Sequence, residues 1–288
     1  MKPKVVAEIG CNHKGDISIA KELIKIAKEY CSVDAVKFQK RCNKELLSSQ
    51  QYNAAHPVPE NSYGITYGEH REFLEFDLDQ HVELKKYCES LDIIYSTSVW
   101  DITSAQEICS IEPEFIKIPS ATNLNFDIHR YLCEKYKGQI QISTGMTTKD
   151  EIEDIVSFYE KNGRSNDLLI YACTSGYPVD FNDVCLLELN NLKEKYQTRI
   201  SGIGFSGHHL GISVDVAAVA LGAQWVERHF TMDRTWKGTD HAASLEPDGM
   251  RRLARDLQNV YKALTYKSKD ILDVEIVQRD KLKWSPKS

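Results

Sequence analysis

Eight short apolar runs, each followed by a helical pattern, constrain the fold of this chain more than any other feature. They lie at residues 5–9, 35–38, 93–97, 115–118, 140–143, 168–172, 200–205 and 223–226. Near-continuous apolar strands that alternate with helices are typical of a parallel sheet covered on both faces. Eight such units predict an α/β fold, a single closed (β/α)8 TIM barrel, which typically takes about 250 residues.

Helical periodicity between the apolar runs supports this prediction. Residues 17–30 carry apolar side chains at the spacing of one helix face, at Ile19, Ala20, Leu23, Ile24 and Ala27. Helices are also predicted over residues 150–159, after an N-cap at Thr147 or Thr148, over residues 214–221, and from near Pro247. These helices would cover the outer face of the barrel.

The spacing of the runs divides the chain into a barrel, an insert and a tail. We predict a catalytic barrel domain over residues 1–268 and a C-terminal tail over residues 269–288 that shows no further helical repeat. The interval after the second run is much longer than the others, and its excess lies in residues 41–79, rich in Asn, Tyr, Gly, Pro and His. Such a long excursion in a compact domain is usually functional, often as a lid.

Composition excludes several classes of protein. The 288 residues are 42% hydrophobic and 27% charged, which is typical of a globular protein. The net charge of −6 and the lack of a basic stripe argue against a nucleic-acid partner. The sequence shows neither a signal-peptide pattern nor an apolar run long enough for a membrane span. Its eight cysteines are scattered without a CxxC pair, which favours a reduced, cytoplasmic protein.

Polar and ionisable side chains follow the predicted strands at the end where β/α barrels keep their chemistry. The candidates are Glu8, Lys37, Thr97, Lys117, Ser120, Ser143, Tyr177, Ser206, His208, His229 and Asp240. The patterns GxGxxG, GxxxxGK and GxSxG are absent from the sequence, so neither a dinucleotide site, a P-loop nor a serine hydrolase is indicated.

Two lysines lie within apolar strands, Lys37 in AVKF and Lys117 in FIKI. A buried ammonium group is costly unless it meets a negative charge. Together with the nearby hydroxyl groups, the lysines would suit a phosphate or carboxylate ligand. The alternative is that each lysine extends from its strand end to solvent.

Two histidines at successive strand ends, His208 and His229, suggest a metal site, because neutral imidazole is the commonest protein ligand of catalytic divalent ions. Glu227 and Asp240 are close in sequence to His229. The alternative is a pair of hydrogen-bonded core histidines. His209 is the neighbour most easily mistaken for a ligand. We expect His13, His70 and His241 to be structural hydrogen-bond partners.

Glu8 ends the first predicted strand. It could act as a general acid or base, or bind a substrate hydroxyl group. The alternative is a structural ion pair with Lys37 in the barrel core.

Eight ordered motifs resemble the sialic acid (N-acetylneuraminate, nonulosonic acid) synthase family over residues 4–264, the catalytic barrel. They are AEIGCNHKGD (7–16), DAVKFQ (34–39), STSVWD (96–101), KIPSATN (117–123), ISTGM (142–146), CTSGYP (173–178), GFSGHHLG (204–211) and ERHFTMDR with GTDHAASLEP (227–247). The resemblance implies a transferase that forms a C–C bond between phosphoenolpyruvate and an aldehyde-form amino sugar on a metal-dependent barrel.

The resemblance also implies roles for individual residues. The phosphoenolpyruvate contacts would be Lys37, Thr97, Lys117, Ser120, Ser143 and Ser206. The metal ligands would be His208 and His229, holding Mn²⁺, with Mg²⁺ or Co²⁺ as alternatives. The catalytic residues would be Glu8, Tyr177 and Asp240, and the acceptor sugar would meet Thr122, Ser175, Tyr177 and Asp240.

Some positions depart from the family pattern. Relatives often have Asn at the position of Ser175, Glu at that of Thr122, and Asp at that of Gly207. Relatives also carry a C-terminal antifreeze-like domain that supplies an arginine to the sugar in a dimer, whereas this sequence ends at Ser288. The expected partners are therefore a second copy of this chain or a separate antifreeze-like domain protein. The insert, through residues 67–76, is expected to close over the sugar.

The sequence thus predicts a cytoplasmic synthase that joins phosphoenolpyruvate to a sugar aldehyde such as N-acetylmannosamine. The products would be a sialic-acid-like 3-deoxy-2-keto acid and phosphate. Two alternatives remain at this point. One is a metal-dependent aldolase that uses pyruvate on the same barrel, and the other is a non-catalytic sugar-binding pseudoenzyme.

Overall fold

A computed structural model describes residues 2–284 and shows eight parallel strands closed into a barrel in sequence order, β1 through β8 and back to β1. The strands are β1 (Lys4–Gly10), β2 (Ala35–Lys40), β3 (Ile94–Val99), β4 (Phe115–Ile118), β5 (Gln139–Ser143), β6 (Leu168–Cys173), β7 (Gly202–Gly207) and β8 (Trp225–His229). The predicted α/β class and (β/α)8 barrel are confirmed. Each predicted run matches one strand, although β7 and β8 begin two residues later than predicted.

Helices alternate with the strands and form the outer layer. They are α1 (Ile17–Glu29), α2 (Asn43–Leu46), α3 (Ser49–Asn53), α4 (Tyr67–Leu74), α5 (Leu78–Ser90), α6 (Ile102–Ser110), α7 (Phe126–Lys135), α8 (Lys149–Lys161), α9 (Glu188–Tyr196), α10 (Ser213–Ala220), α11 (Pro247–Ala263) and α12 (Asp273–Leu282). Short 3₁₀ helices span Pro59–Asn61, Ser165–Asp167, Phe181–Asp183 and His241–Ala243.

Local capping explains where the predicted helices begin. The Asp16 side chain accepts hydrogen bonds from the first amide groups of α1, and Thr148 forms a capping box with Glu151 at the start of α8. Pro247 is the first residue of α11, a position where its missing N–H is not needed. The predicted starts at Thr148 and Pro247 are confirmed.

The barrel interior has two layers, because alternate residues of each strand point inward. The lower layer is an apolar cluster, distinct from the core between strands and helices, made of Val6, Ala35, Phe115, Leu169, Tyr171 and Trp225. Two residues further along β1, β2, β4 and β8 lie the charged side chains Glu8, Lys37, Lys117 and Glu227. The apolar layer therefore closes the barrel directly beneath a charged layer at the carboxyl ends of the strands.

The insert at residues 41–79 carries α2, α3, a 3₁₀ turn, α4 and the start of α5. It is tied to the mouth of the barrel. Arg41 forms an ion pair with Glu75, and His13 stacks on Phe76 with ring centroids 4.0 Å apart. Tyr63 donates a hydrogen bond to the carbonyl of Lys237, in the loop after β8. The insert thus bridges the loops after β1, β2 and β8.

The tail differs from the prediction, because residues 273–282 form α12. This helix buries none of its side chains, and Lys267 and Lys269 pair with Glu275 and Asp273 at its start. A short helix held by local contacts leaves no apolar periodicity for a sequence to show. Residues 285–288 of the predicted tail lie outside the described residues, and the boundary at residue 268 stays a prediction. Across residues 2–284, none of the helices has the length and apolar character that crossing a bilayer requires.

Candidate active site

A cavity of about 320 Å³ opens at the carboxyl ends of the barrel strands, above the charged layer. Its wall is formed by Glu8, Lys37, Gln39, Ser98, Trp100, Lys117, Pro119, Ser120, Ala121, Ser143, Met146, Cys173, Ser175, Tyr177, Ser206, His208, Glu227 and His229. Ten of the thirteen residues expected at the site are in this wall; Thr97, Thr122 and Asp240 are not. We call this space the reaction cavity.

The floor of the reaction cavity is a network of four buried charges. The Lys37 Nζ lies 2.6 Å from Glu8 Oε2 and 3.7 Å from Glu227 Oε1, and it donates a hydrogen bond of 2.7 Å to Ser98 Oγ. The Lys117 Nζ lies 3.0 Å from Glu227 Oε2. Glu227 therefore serves as a shared counter-ion for both lysines.

Burial and charge act against each other in this network. Burial alone would raise the pKa of Glu227, but the ammonium groups of Lys117 and Lys37 lower it to about 2. Burial raises the pKa of Glu8 in spite of the nearby Lys37. For Lys117, burial lowers the pKa, and its single carboxylate partner offsets this effect only in part. Glu227 is thus a fixed anion, whereas Glu8 is the carboxyl group better suited to exchange a proton.

The alternatives for the lysines and Glu8 have different outcomes. Lys37 and Lys117 are 2% and 1% exposed, so the alternative that they extend to solvent is wrong. The alternative for Glu8 was a structural ion pair with Lys37, and this ion pair is present. Both residues also line the reaction cavity, so this ion pair is compatible with a role in chemistry.

Hydroxyl groups form one wall of the reaction cavity. Ser120, Ser143, Ser175 and Ser206 all face it. Gly145 lies between Ser120 and Ser175, and its amide nitrogen donates a 3.0 Å hydrogen bond to Ser120 Oγ. A Cβ atom at Gly145 would come within 2.3 Å of Ser175 Oγ, so only glycine permits this close arrangement of donors.

The structure corrects the expected position of Thr97. Thr97 is fully buried and donates its hydroxyl hydrogen bond to Tyr95 Oη, outside the reaction cavity. The strand register pairs Lys37 with Ser96 and Gln39 with Ser98, which turns Ser96 and Ser98 inward and Thr97 outward. Ser98 therefore provides the hydroxyl group on β3 that was expected from Thr97.

The two predicted histidine ligands come together at the rim of the reaction cavity. The His208 and His229 rings have centroids 5.6 Å apart, and the Tyr177 ring lies 4.4 Å from that of His208. The His208 Nδ1 donates to the carbonyl of Thr174 at 2.9 Å, which leaves Nε2 as the free lone pair. Burial lowers the pKa of His208 to about 4, so the ring is neutral at physiological pH.

The donor set fits a divalent ion in part. The His229 Nδ1 is buried without a hydrogen-bond partner, and the nearest carboxylate oxygen, Asp240 Oδ2, is 3.9 Å away. An orphaned ring nitrogen close to a second histidine ring is the arrangement that a metal ion would satisfy. Within residues 2–284, however, no cluster of three His, Cys, Asp or Glu side chains is assembled for a metal. Two histidines would therefore leave other positions for water or substrate.

The neighbouring histidines have structural roles, as the sequence suggested. His209 is fully buried on the outer side of the barrel, where its Nε2 lies 3.2 Å from Asp215 Oδ2 and 3.1 Å from Arg228 Nη1. His13 Nδ1 accepts a hydrogen bond from Gly15 N, and His70 Nδ1 accepts one from Tyr63 N. His241 Nδ1 is hydrogen-bonded to Thr231 Oγ1.

The residues expected at the acceptor sugar are only partly gathered. Tyr177 and Ser175 line the reaction cavity, and Asp240 lines an adjoining cavity of about 210 Å³ under the insert, together with Tyr177. Thr122 belongs to the turn before α7 and lines neither cavity, so its contact with the sugar stays a prediction. In that turn the Thr122 amide donates to the carbonyl of Pro119 and the Asn125 amide donates to that of Thr122, and Thr122 Oγ1 is buried without a hydrogen-bond partner in residues 2–284.

Glu227 and Gln39 are site residues to which the sequence analysis gave no role. Glu227 is two residues before His229 on β8, so the two-residue period of the strand places both side chains in the barrel. The need of Lys117 for a buried counter-ion was a second signal. Gln39 donates a 2.9 Å hydrogen bond to Glu8 Oε1 and thereby orients that carboxyl group.

Comparison with known proteins identifies relatives along almost the whole chain. Human N-acetylneuraminate-9-phosphate synthase is 36% identical over 283 residues, covering 96% of this chain and 76% of the human protein. An N,N'-diacetyllegionaminic acid synthase of Campylobacter jejuni is 34% identical, covering 91% of this chain and 78% of its own length.

A solved structure agrees with these relatives. The N-acetylneuraminic acid (sialic acid) synthetase of Leptospira borgpetersenii, in complex with citrate, superposes with a TM-score of 0.81 at 26% identity. That match covers 98% of this chain and 93% of the other. The NeuB family matches residues 23–269, which include seven of the eight barrel strands and both cavity histidines. This chain therefore belongs to the NeuB family, as its resemblance to the sialic acid synthases indicated.

Proposed function

We propose that this enzyme condenses phosphoenolpyruvate with the aldehyde form of an amino sugar such as N-acetylmannosamine, with a divalent ion as cofactor. The observation that carries the proposal is the reaction cavity itself, in which two buried lysines and two histidines line one space of about 320 Å³. The relatives named as sialic and legionaminic acid synthases support this reaction class.

The lysine side of the reaction cavity suits the anionic substrate. Lys37 and Lys117 would attract the phosphate and carboxylate of phosphoenolpyruvate, while Ser98, Ser120 and the other wall hydroxyls donate fixed hydrogen bonds. Because each lysine already has a carboxylate partner, the positive field is moderate. The hydroxyl groups and backbone amides must therefore supply much of the specificity for the ligand.

The histidine side of the reaction cavity suits the aldehyde. His208 Nε2 and His229 would hold the divalent ion, with Mn²⁺ as our first choice and Mg²⁺ or Co²⁺ as alternatives. When bound, such an ion acts as a Lewis acid on a carbonyl oxygen. Tyr177 lies against both rings and would position the sugar next to them.

The chemistry then requires one new C–C bond, one new C–O bond from water, and cleavage of the C–O bond to the phosphate. The enol carbon of phosphoenolpyruvate attacks the aldehyde carbon, water adds to the resulting cationic carbon, and phosphate leaves with its bridging oxygen. Glu8 would move the protons of these steps, since burial raises its pKa and Gln39 fixes its orientation. Asp240, at the histidine end of the adjoining cavity, would bind a hydroxyl group of the sugar.

The proposal is tested by measuring phosphate release from phosphoenolpyruvate with Mn²⁺ against a panel of aldoses and 2-acetamido sugars. We expect release with at least one 2-acetamido sugar, loss of release with a chelator, and a stoichiometric 2-keto acid product. Lys117→Met should abolish turnover, and the exposed Lys149 offers a matched control in Lys149→Met.

The two rival functions give different results in the same assay. An aldolase would form product from pyruvate without phosphate release. A pseudoenzyme would bind phosphoenolpyruvate and a sugar without converting either. Either result would contradict the proposed condensation.

A further inference from the structure

Two loops at the carboxyl ends of β4 and β5 carry much of the hydroxyl wall of the reaction cavity. Ser120 lies in the loop after β4, and Ser143 is the last residue of β5, with Gly145 and Met146 shortly after it. The 3.0 Å hydrogen bond from the Gly145 amide to Ser120 Oγ joins the two loops at the wall. Donor groups bind an anion best when their spacing is fixed before the ligand arrives. The contacts that hold these two loops together therefore bear directly on ligand binding.

Asn123 joins the same two loops from a position outside the reaction cavity. It follows Ser120 in the loop after β4, is 2% exposed and lines neither cavity. Its Nδ2 donates hydrogen bonds to the carbonyl of Ser143 at 2.8 Å and to Thr147 Oγ1 at 2.7 Å. Because a carbonyl oxygen can only accept, the orientation of the amide is fixed, and both hydrogens of Nδ2 are used.

Thr147 carries this contact into the turn that follows β5. Its hydroxyl group accepts from Asn123 and donates to the carbonyl of Gly145 at 2.9 Å, and thereby spans Met146. Met146 has a φ of 55°, a left-handed conformation that is unfavourable for a residue with a side chain unless surrounding contacts fix it. The pair of Asn123 and Thr147 thus holds the turn from which Gly145 reaches Ser120.

The backbone of Asn123 is in turn held by the helix layer. His129 on α7 is fully buried, with Nε2 2.7 Å from the Asn123 carbonyl oxygen and Nδ1 3.0 Å from Tyr159 Oη on α8. Since the carbonyl can only accept, Nε2 carries the hydrogen, and Nδ1 accepts from the tyrosine. Burial lowers the pKa of His129 to about 4, so the ring is neutral at neutral pH. Two helices therefore fix Asn123 on one side, while its amide fixes two loops on the other.

We propose that Asn123 is a positioning residue for phosphoenolpyruvate, because it clamps the loop after β4 to the loop after β5 and so sets the spacing of Ser120 and Ser143 in the reaction cavity. The inference rests on the proposed condensation and adds to it a residue that does not touch the substrate. A displacement of binding groups by about 1 Å can cost on the order of 100-fold in an enzyme. Asn123 thus acts on the anion through the hydroxyl groups that it spaces.

Calorimetric titration of the full chain with phosphoenolpyruvate alone, without an acceptor, measures this effect apart from chemistry. Asn123→Asp keeps the size of the side chain but turns a carboxylate oxygen toward the carbonyl of Ser143. We expect it to weaken phosphoenolpyruvate binding on the order of 10- to 100-fold, and to leave Mn²⁺ binding, measured by electron paramagnetic resonance, unchanged. In turnover it should raise KM for phosphoenolpyruvate and leave KM for the acceptor sugar unchanged.

Two neutral variants separate the clamp from effects of charge and of volume. Asn123→Ala removes the donor without adding a charge, so it should weaken binding less than Asn123→Asp, whereas a role in filling space would reverse this order. Thr147→Val keeps the shape of a half-buried side chain and should weaken binding several-fold, which tests the clamp even where the Asn123 variants do not fold. Asn162→Asp is the matched control, because Asn162 is exposed and its Nδ2 donates to the Phe158 carbonyl at 2.8 Å. It should leave the affinity unchanged.

The outcomes distinguish the two proposals. Unchanged phosphoenolpyruvate affinity in Asn123→Ala or in Thr147→Val, or a larger loss in Asn123→Ala than in Asn123→Asp, would overturn the role of Asn123. An equal weakening of phosphoenolpyruvate and Mn²⁺ binding would indicate a general loosening of the barrel mouth and would overturn it as well. Binding of phosphoenolpyruvate that depends on Asn123, without condensation of any sugar, would overturn the proposed reaction but uphold the clamp. Failure of the unaltered protein to bind phosphoenolpyruvate would overturn both proposals.

Discussion

Replacing Glu227 by glutamine removes the one carboxylate that lies within ion-pair distance of both buried lysines of the charged layer. The change keeps the shape of the side chain but removes the carboxylate shared by Lys37 and Lys117. Lys37 keeps Glu8 at 2.6 Å and Ser98 at 2.7 Å, so it remains paired. Lys117 keeps only the face of the Tyr171 ring, 3.7 Å from its Nζ. The destabilisation should therefore come mainly from Lys117.

The size of the effect follows from this asymmetry. Removing one partner of a buried ion pair usually costs about 3–5 kcal/mol, because the remaining charge stays buried without compensation. A cation–π contact returns roughly 2 kcal/mol at most. Lys117 can also lose its proton, at about 1.4 kcal/mol for each unit by which its pKa falls below the solution pH. We expect Glu227→Gln to lower the free energy of unfolding by roughly 3 kcal/mol.

Urea unfolding of the full chain, followed by circular dichroism, measures this free energy. The double variant Glu227→Gln with Lys117→Met should recover most of the loss, because both partners of the pair are then uncharged. Glu114→Gln removes an exposed carboxylate 3.5 Å from Lys4 and should change the free energy by less than about 1 kcal/mol. A Glu227→Gln protein as stable as this control, or a double variant no more stable than the single one, would refute the reasoning.

Three further predictions concern the wall hydroxyls, the histidines and the pH dependence of stability. Ser98→Ala should raise KM for phosphoenolpyruvate several-fold, whereas Thr97→Val should leave it unchanged, because only Ser98 faces the reaction cavity. His208→Gln should weaken Mn²⁺ binding, measured by electron paramagnetic resonance, whereas His209→Gln should keep the ion and instead lower the melting temperature. Burial lowers the pKa of His129 to about 4, so below pH 6.5 the unfolded chain binds a proton that the folded chain excludes. Its contribution to the free energy of unfolding should fall by about 2–3 kcal/mol between pH 7 and 4.5, and His129→Gln should make the measured loss of unfolding free energy over that range smaller by this amount.

The barrel could be predicted because its strands are apolar on both faces over short, evenly repeated runs. The predicted runs for β7 and β8 ended before the strands do. The outward face of each strand is marked by apolar residues, but the inward face near the mouth carries Ser206, Glu227 and His229, which are not apolar. The site residues lie at the carboxyl ends of the strands, beyond the apolar residues from which the strands were predicted.

The choice between Thr97 and Ser98 depended on information beyond the local sequence. The two are adjacent hydroxyl residues, and only the pairing register of β3 with β2 decides which one turns inward. Thr122 was assigned by motif position, and it lines neither cavity.

The charged layer explains how one barrel can be stable without substrate and still bind an anion. Two lysines and two glutamates sum to zero formal charge, so the ligand-free interior pays no penalty for a net buried charge. Glu227 stays ionised because two ammonium groups surround it, whereas the pKa of Glu8 is already raised by burial. An arriving anion would therefore favour protonation of Glu8 before that of Glu227. The same arrangement that keeps the lysines buried thus makes Glu8 the carboxyl group whose proton responds to the substrate.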